Sequence, residues 1–359
     1  MFLKDIDHTS VARRISFRLS FTVDDKINKI YNRLCYLIHF LTITLCSCLR
    51  KGSKTPMKML KNEAEDELTI QMILHAKKFS LTLDKNRCTG CGICAEICPR
   101  EAIDIRPPIT TEVERINSPT IDIREERCHY CGMCDSICPF GALKIRINGE
   151  HTVPVINSES FPHLVREFEV DPSKCALDCV DCEEACPLNL IEVTITTPSG
   201  KEVLDVNSVP NKENLTVAVN IEKDYCPCCR LCELKCPEGA IHVEKIFYGI
   251  LRINREKCPE GCQLCLDACP IPGTLYPSDN GKIFVNEQSC VYCGACKVVC
   301  PEEGALALVR TYIRHTPVQS GAWNKALEKL ASTKIMTKEL RTKSAHRAKD
   351  SVKKRFPGR

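Results

Sequence analysis

The sequence has 359 residues, enough for two or three domains, and 28 of them are cysteine. Only 6% of the residues are aromatic and one is tryptophan, which excludes a conventional aromatic-rich core and leaves the cysteines to be explained as disulfides, zinc ligands or iron–sulfur ligands. The net charge of +4 conceals basic ends and an acidic middle, because Lys and Arg outnumber Asp and Glu by 11 to 4 in residues 1–59 and by 14 to 3 in residues 310–359.

The first feature along the chain is an uncharged stretch of 16 residues, 34–49, flanked by arginines. It is short for a membrane-spanning helix, which needs about 20 apolar residues, and it lies too deep for a standard signal peptide. A weak membrane anchor, a docking helix and a leader absent from the mature protein all stay open. We favour the leader for residues 1–59, with synthesis starting at Met57 or Met59, because nothing before Met57 resembles the rest of the chain.

From residue 88 onward a cysteine motif recurs six times and organises the middle of the chain. It reads Cys-x2-Cys-x2-Cys-x3-Cys-Pro, and in the third and fifth copies one extra residue lengthens the first step. The six copies hold 24 of the 28 cysteines. In order they are Cys88, Cys91, Cys94 and Cys98; Cys128, Cys131, Cys134 and Cys138; Cys175, Cys179, Cys182 and Cys186; Cys226, Cys229, Cys232 and Cys236; Cys258, Cys262, Cys265 and Cys269; and Cys290, Cys293, Cys296 and Cys300.

Short alternating apolar segments precede the first cysteine of every copy, and each predicts a strand. Most copies resume an apolar segment soon after the proline. The repeating unit is therefore a strand, a cysteine loop, one short helical turn and a second strand, which predicts an α+β fold. The predicted strands before the cysteines cover 81–83, 121–123, 168–170, 217–219, 251–253 and 283–285.

The spacing of the motif favours iron–sulfur chemistry. Three cysteines at steps of three on one loop aim three sulfurs at one point and can bind three irons. The fourth is expected within the short helix that the proline ends, pointing toward a neighbouring motif. Zinc sites usually combine two distant Cys-x2-Cys pairs, and disulfides need an oxidising compartment although no convincing export signal is present. A zinc-stabilised interaction scaffold remains as a rival class.

The third and fifth copies suggest another alternative, because Cys-x3-Cys-x2-Cys is the triplet of radical S-adenosylmethionine enzymes. In those enzymes one iron is left free for the cofactor, whereas here a Cys-Pro follows at the ferredoxin offset and can fill that position. Units of 32 to 51 residues are also too short to surround the triplet with a barrel. An enzyme of this type is therefore kept as a rival and is not favoured.

With these motifs, residues 80–312 resemble the polyferredoxins of methanogenic archaea, which are built from tandem two-cluster ferredoxin modules. The resemblance implies an electron carrier with no substrate of its own, serving a redox complex of the hydrogenase or formylmethanofuran dehydrogenase type. The formylmethanofuran dehydrogenase version typically shows eight motifs, so six motifs favour the hydrogenase group. A cytoplasmic location is implied, and peripheral membrane association through a partner stays open.

The resemblance also implies three tandem modules, at 80–147, at 168–247 with a hairpin insertion at 191–216, and at 248–312. Sequential pairing of the motifs is the simplest arrangement, since neighbouring elements usually pair. A nested arrangement stays open, because the fourth and fifth copies are separated by 32 residues just as the fifth and sixth are.

In two-cluster bacterial ferredoxins the fourth cysteine of each motif ligates the cluster of the other motif. The resemblance therefore implies six [4Fe–4S] clusters with exchanged fourth ligands. The implied ligands are Cys88, Cys91, Cys94 and Cys138 for cluster 1; Cys128, Cys131, Cys134 and Cys98 for cluster 2; Cys175, Cys179, Cys182 and Cys236 for cluster 3; Cys226, Cys229, Cys232 and Cys186 for cluster 4; Cys258, Cys262, Cys265 and Cys300 for cluster 5; and Cys290, Cys293, Cys296 and Cys269 for cluster 6.

Two departures from the pattern concern the loops. Three copies place glycine after the second cysteine, where a bare backbone can approach the sulfurs closely, and three do not. Copy four also contains Cys228, which is out of step with the ligands and is expected to be a packed or surface thiol. The glycines are Gly92, Gly132 and Gly294, and the other copies have Val180, Arg230 and Gln263.

Residues 313–359 are predicted to form a basic helical tail, in which Trp323, Leu327 and Leu330 recur at helical intervals. A solvated tail stays open, and we favour docking on an acidic partner. Nucleic acid is not an expected partner, because binding it would need base-stacking aromatics and the tail offers one Trp and one Phe.

Overall fold

A computed structural model describes residues 58–106, 119–203, 212–278 and 281–331. The expected leader lies outside the described residues except for Lys58 and Met59, which begin the first strand, and the basic end of the tail lies outside them as well. The strands are β1 Lys58–Glu63, β2 Glu67–Ile73, β3 Lys78–Asp84, β4 Ile103–Arg106, β5 Thr120–Ile123, β6 Leu143–Ile147, β7 Glu150–His151, β8 Glu167–Val170, β9 Ile191–Thr196, β10 Thr216–Ile221, β11 Ile241–Glu244, β12 Phe247–Ile253, β13 Leu275–Pro277, β14 Ile283–Val285 and β15 Leu306–Ile313. The helices are α1 Ile93–Ile97, α2 Met133–Ile137, α3 Pro154–Asn157, α4 Asp181–Glu184, α5 Leu231–Lys235, α6 Leu264–Asp267, α7 Ala295–Val299 and α8 Gly321–Leu330.

The mixture of short strands and short helices confirms the predicted α+β class. A strand is present before the first cysteine of every copy, namely β3, β5, β8, β10, β12 and β14. Successive side chains of a strand point to opposite faces of the sheet, so every second side chain faces the core. In β3 these are Leu81 and Leu83, and both are buried.

The predicted position of the fourth cysteine within the helix is wrong. Helix α1 contains the third cysteine, Cys94, and ends before Cys98, whose ψ is 116°. Helix α2 contains Cys134 and ends before Cys138, whose ψ is 115°. A proline ring clashes with a helical residue in front of it, so the cysteine that precedes the proline takes an extended backbone. The fourth sulfur is thereby turned away from its own loop.

The strands pair in a pattern that occurs three times among the described residues. The strand before one motif pairs antiparallel with the strand after the next motif, and the two strands between these motifs pair with each other. The six pairs are β3–β6 with β4–β5, β8–β11 with β9–β10, and β12–β15 with β13–β14. Each set of two pairs encloses two consecutive cysteine motifs.

Two strands that the sequence analysis did not predict extend the first sheet. Strands β1 and β2 add to β3, giving a five-stranded sheet in the order β1-β2-β3-β6-β7. Strand β2 contributes Leu68 and Ile70 to the core, whereas β1 is exposed at almost every position. An edge strand with charged, exposed side chains lacks the apolar alternation by which strands are recognised in a sequence.

In the region of the expected hairpin insertion, β9 pairs with β10 over six residues of each strand. Beyond β9 the chain turns back on itself, and Val203 N donates to Ile195 O at 2.8 Å. Residues 204–211 of this region lie outside the described residues.

The C-terminal helix α8 packs on the protein itself. Trp323 is fully buried, its ring lies edge-on to Phe161 at 5.1 Å, and Leu327 and Leu330 are buried beside it. Ser320 begins the helix, its hydroxyl accepting from Trp323 N at 3.1 Å. The apolar side of α8 is therefore buried within the protein itself. Among the helices of the described ranges, none combines the length and apolarity needed to cross a membrane.

Three copies use a carboxylate after the third cysteine to attach the short helix to the strand that follows. Asp135 accepts from Ile145 N at 2.7 Å, and its carboxylate also lies 2.9 Å from His151 Nε2. The corresponding bonds join Glu183 to Val193 N at 2.9 Å and Glu233 to Val243 N at 3.0 Å. These bonds fix the cysteine helix relative to the sheet.

Replacing the buried Asp135 with alanine should lower the free energy of unfolding by about 1–3 kcal/mol, because Ile145 N–H loses its acceptor inside the protein. The measurement is guanidinium unfolding without oxygen, followed by far-UV circular dichroism. Asp178→Ala is the matched control, since it removes an exposed carboxylate and should change stability by less than about 0.5 kcal/mol. Equal effects of the two substitutions would contradict this role of Asp135.

Candidate cluster-binding sites

The loops between the first and third cysteines depend on left-handed backbone. In copies one, two, four and six the residue before the second cysteine has φ between 49° and 61°, and the residue after it has φ between 68° and 100°. This path aims backbone N–H groups at sulfur, as where Tyr130 N lies 3.5 Å from Cys128 Sγ. The left-handed pairs are Gly90 and Gly92, Tyr130 and Gly132, Cys228 and Arg230, and Tyr292 and Gly294.

In the three copies without glycine, the residue after the second cysteine adopts one of two backbone conformations. Val180 and Gln263 have φ of −121° and −118°, since the extra loop residue in copies three and five removes the need for a left-handed turn there. Arg230 keeps the left-handed turn, with φ of 68°. Its guanidinium donates twice to Glu233, at 2.8 and 2.7 Å, and these charge-assisted bonds offset the strain.

Four of the six fourth cysteines, those of copies one to four, receive hydrogen bonds from the backbone. The N–H of the residue four positions later points at the sulfur, which stabilises negative charge on a thiolate ligand. The distances are 3.4 Å from Ala102 N to Cys98, 3.3 Å from Ala142 N to Cys138, 3.3 Å from Leu190 N to Cys186, and 3.2 Å from Ala240 N to Cys236.

The cysteines lie in six groups, each joining one loop to a fourth cysteine from the other copy of its pair. In every group burial raises the pKa of a loop thiol, and the nearby fourth thiol raises it further. The loop thiol and the fourth cysteine beside it are Cys88 and Cys138 in site 1, Cys128 and Cys98 in site 2, Cys175 and Cys236 in site 3, Cys229 and Cys186 in site 4, Cys265 and Cys300 in site 5, and Cys296 and Cys269 in site 6.

Four of these groups line partly enclosed cavities of equal size, each of about 20 Å³, in sites 1, 4, 5 and 6. Within the described ranges, no three His, Cys, Asp or Glu side chains are arranged to hold a single metal ion. Each of the four cavities is lined by three loop cysteines and one fourth cysteine, which is the ligand set that a [4Fe–4S] cubane requires. Burial raises the pKa of Cys88 to about 12, so a metal bound there would have to displace the thiol proton.

Three of the six sites meet in one apolar cluster. One apolar group contains buried Cys229 of site 4 and Cys293 of site 6, together with partly buried Cys91 of site 1. Phe140 and Ile271 fill the space between them. Sites 1, 4 and 6 are called the inner sites below, and sites 2, 3 and 5 the outer sites.

A sequence signal for this division exists and was missed. Each fourth cysteine is followed by a proline and then by a residue whose type depends on the site to which that cysteine belongs. At the inner sites it is apolar, and at the outer sites it is charged. The inner residues are Phe140, Leu188 and Ile271, and the outer residues are Arg100, Glu238 and Glu302.

Cys228, the thiol out of step with the ligands, is fully buried. Its N–H donates to Cys226 Sγ at 3.4 Å, which is the bond that Tyr130 N makes in copy two. The residue thus occupies an ordinary loop position, and its thiol is packed, as the sequence led us to expect.

Comparison with known proteins finds a family match for the first two cysteine motifs. The family described as 4Fe-4S dicluster domain matches residues 87–142. A curated protein of Pyrococcus furiosus, the polyferredoxin-like subunit of an aliphatic sulfonate oxidoreductase, is 36% identical over 90 residues. That match covers 23% of this chain and 52% of the relative, so the chain spans about half the length of this protein.

A solved structure gives the broader match. A chain in the formate dehydrogenase–heterodisulfide reductase–formylmethanofuran dehydrogenase complex of Methanospirillum hungatei is 31% identical in sequence, with a TM-score of 0.66. The match covers 78% of this chain and 93% of that one, which extends the likeness over all but a small part of the relative.

The grouping of cysteines can be tested by comparing double substitutions. Cys88→Ala with Cys138→Ala removes two ligands of one site and should lower the iron content by about four per chain. Cys88→Ala with Cys98→Ala affects two sites and should lower it by about eight. Iron analysis after anaerobic reconstitution measures both. Equal losses in the two double variants would contradict the exchange of fourth cysteines.

Proposed function

The chain belongs to the methanogen-type polyferredoxins, and from this premise we propose that it carries electrons through six [4Fe–4S] clusters and is not itself an enzyme. The observation that supports the proposal is a set of four cavities, each lined by three loop cysteines and the fourth cysteine of the other copy in its pair. The 24 motif cysteines would then all be ligands, in the sets implied for clusters 1 to 6.

We also propose that residues 80–147, 168–247 and 248–312 are three tandem two-cluster modules. The strand pairs support this division, because each set of two pairs encloses two consecutive motifs. A nested arrangement would pair the strands around copies four and five with each other. Instead β8 pairs with β11, and β12 pairs with β15, which favours sequential pairing.

When bound, a [4Fe–4S] cluster supplies reversible one-electron oxidation and reduction. The protein excludes water from the sulfurs, as the burial of Cys94, Cys232 and Cys296 shows. Backbone N–H groups stabilise the negative charge of the thiolates. The apolar contacts around Phe140 bring the inner sites of all three modules together, so that an electron can pass from one module to another.

The proposed partner is a multi-protein oxidoreductase complex. The relative from Methanospirillum hungatei is part of a complex named for formate dehydrogenase, heterodisulfide reductase and formylmethanofuran dehydrogenase. This relative favours the formylmethanofuran dehydrogenase alternative over the hydrogenase group that the number of motifs suggested. We place the protein in the cytoplasm, with membrane contact only through such a complex, and we assign it neither nucleic acid nor a substrate of its own.

Protein reconstituted without oxygen should contain about 24 irons and about 24 acid-labile sulfides per chain, because each of the six sites holds four of each. Colorimetric iron and sulfide assays measure this. A value near eight irons, or stoichiometric zinc, would contradict the proposal. Cleavage of S-adenosylmethionine by the reduced protein would point instead to the radical enzyme.

Affinity purification of the tagged chain from its native cells under argon should recover subunits of an oxidoreductase complex. The reduced complex should then transfer electrons to the purified oxidised chain. The measurement is the loss of the iron–sulfur absorbance at roughly 400 nm. The metal-free chain is the control and should show no such change. A reconstituted chain that stays oxidised beside the reduced complex would show that the complex is not its donor.

A further inference from the structure

Resting on the proposed function, we infer that Arg166, Lys245 and Arg310 form a ring of positive charge between the inner sites and hold them at higher reduction potentials than the outer sites. An electron therefore rests at the inner sites, and the outer sites are the routes by which it enters or leaves. Each of the three side chains, called the cation ring below, lies between a different pair of inner sites.

Arg310 lies between sites 6 and 1. Strand β15 carries it into the core, where it is 7% exposed. Its Nη2 donates to Cys293 O at 2.7 Å, its Nε donates to Tyr292 O at 2.9 Å, and its Nη1 donates to Leu330 O at 3.3 Å. Cys91 of site 1 lines the same cleft as Arg310.

Lys245 lies between sites 6 and 4 and is 5% exposed. Its Nζ donates to Cys290 O at 3.0 Å and also to Glu287 O. Cys229 of site 4 also lies near enough to Lys245 for the two groups to interact electrostatically. A negatively charged cluster at either site favours the protonated amine.

Arg166 lies between sites 1 and 4. Its Nε donates to Cys226 O at 2.9 Å in site 4. Its Nη2 donates to Cys138 O at 3.2 Å and to Pro139 O at 3.3 Å in site 1. A single guanidinium therefore contacts ligand residues of two modules.

Within the described ranges the cation ring makes no salt bridge and hydrogen-bonds to backbone carbonyls, while the Glu287 carboxylate acts on Lys245 from beyond contact distance. A buried cation without a counter-ion is costly. Four thiolates and an oxidised cubane together carry a charge of about −2, and reduction makes it one unit more negative. The inner sites thus supply the missing negative charge, and each cation favours the reduced form of the sites beside it. The electron that an inner site gains is the one that an outer site loses.

Lys245 and Arg310 are the buried Lys and Arg side chains of the described ranges, and both lie at inner sites. At site 5, Lys282 is partly buried, like Arg166, and its Nζ lies 3.4 Å from Cys258 O. At site 3, helix α4 begins with three carboxylates around Cys182, those of Asp181, Glu183 and Glu184. Exposed charges are also screened by salt over about 8 Å, whereas buried ones are not.

The first test is a potentiometric titration of the intact, reconstituted protein with dithionite, followed by electron paramagnetic resonance. Two groups of midpoints are expected, and the higher group should take up three of the six electrons per chain. Raising the ionic strength should move the lower group and leave the higher group unchanged. A single group of six midpoints overturns the inference.

The second test neutralises one cation at a time, with Arg310→Gln, Lys245→Gln and Arg166→Gln. Each should move two of the six midpoints downward, weakening electron uptake at those sites about tenfold, which is 59 mV for one electron. Arg314→Gln is the matched control. It removes the same charge, but Arg314 already forms salt bridges with Glu167 at 2.6 Å and with Glu244 at 2.7 Å. Arg310→Lys keeps the charge and should keep the midpoints.

Equal shifts in Arg314→Gln and in the three test variants overturn the inference, since they would reflect net charge alone. If the neutral variants lose iron, the grouping of midpoints in the unaltered protein decides the question. A chain that holds about 24 irons but shows one group of midpoints keeps the proposed function and overturns the inference. A chain that binds no clusters overturns both.

Discussion

The residue in front of a proline is kept out of the helical conformation by contact with the proline ring, and in this protein that residue is a motif cysteine in all six copies. The chain leaves the short helix at this point, as the extended backbone of Cys98 and Cys138 shows. The sulfur is turned from its own loop toward the loop of the other copy. Pairing of motifs, pairing of strands and the position of every proposed cluster follow from this local constraint.

Much of this arrangement could be predicted from the sequence. The cysteine spacing predicted the loops, and the apolar alternation before each loop predicted strands such as β3. The position of the fourth cysteine was predicted wrongly, because the proline was taken to end the helix at the cysteine, whereas its steric effect already acts on the residue before it. Strand β1 was missed because its side chains are charged and exposed.

The meeting of the inner sites depends on how modules pack, which a repeat pattern does not specify. The apolar residues Phe140, Leu188 and Ile271 were visible in the sequence, but their meaning required knowing which fourth cysteine serves which loop. The cation ring was harder still to foresee. Arg166, Lys245 and Arg310 lie outside the motifs, and a basic residue in a sequence is more often exposed than buried.

Helix α8 joins distant parts of the chain. Lys329 donates to Glu96 O at 2.8 Å, next to the first cysteine loop, and Leu330 O accepts from Arg310. During synthesis the outer sites 2 and 3 are complete once their own modules have emerged from the ribosome. The cover over Cys91 must wait for residues near the end of the described chain. Packing over the first cysteine loop therefore cannot be complete until nearly all of the described chain has been synthesised.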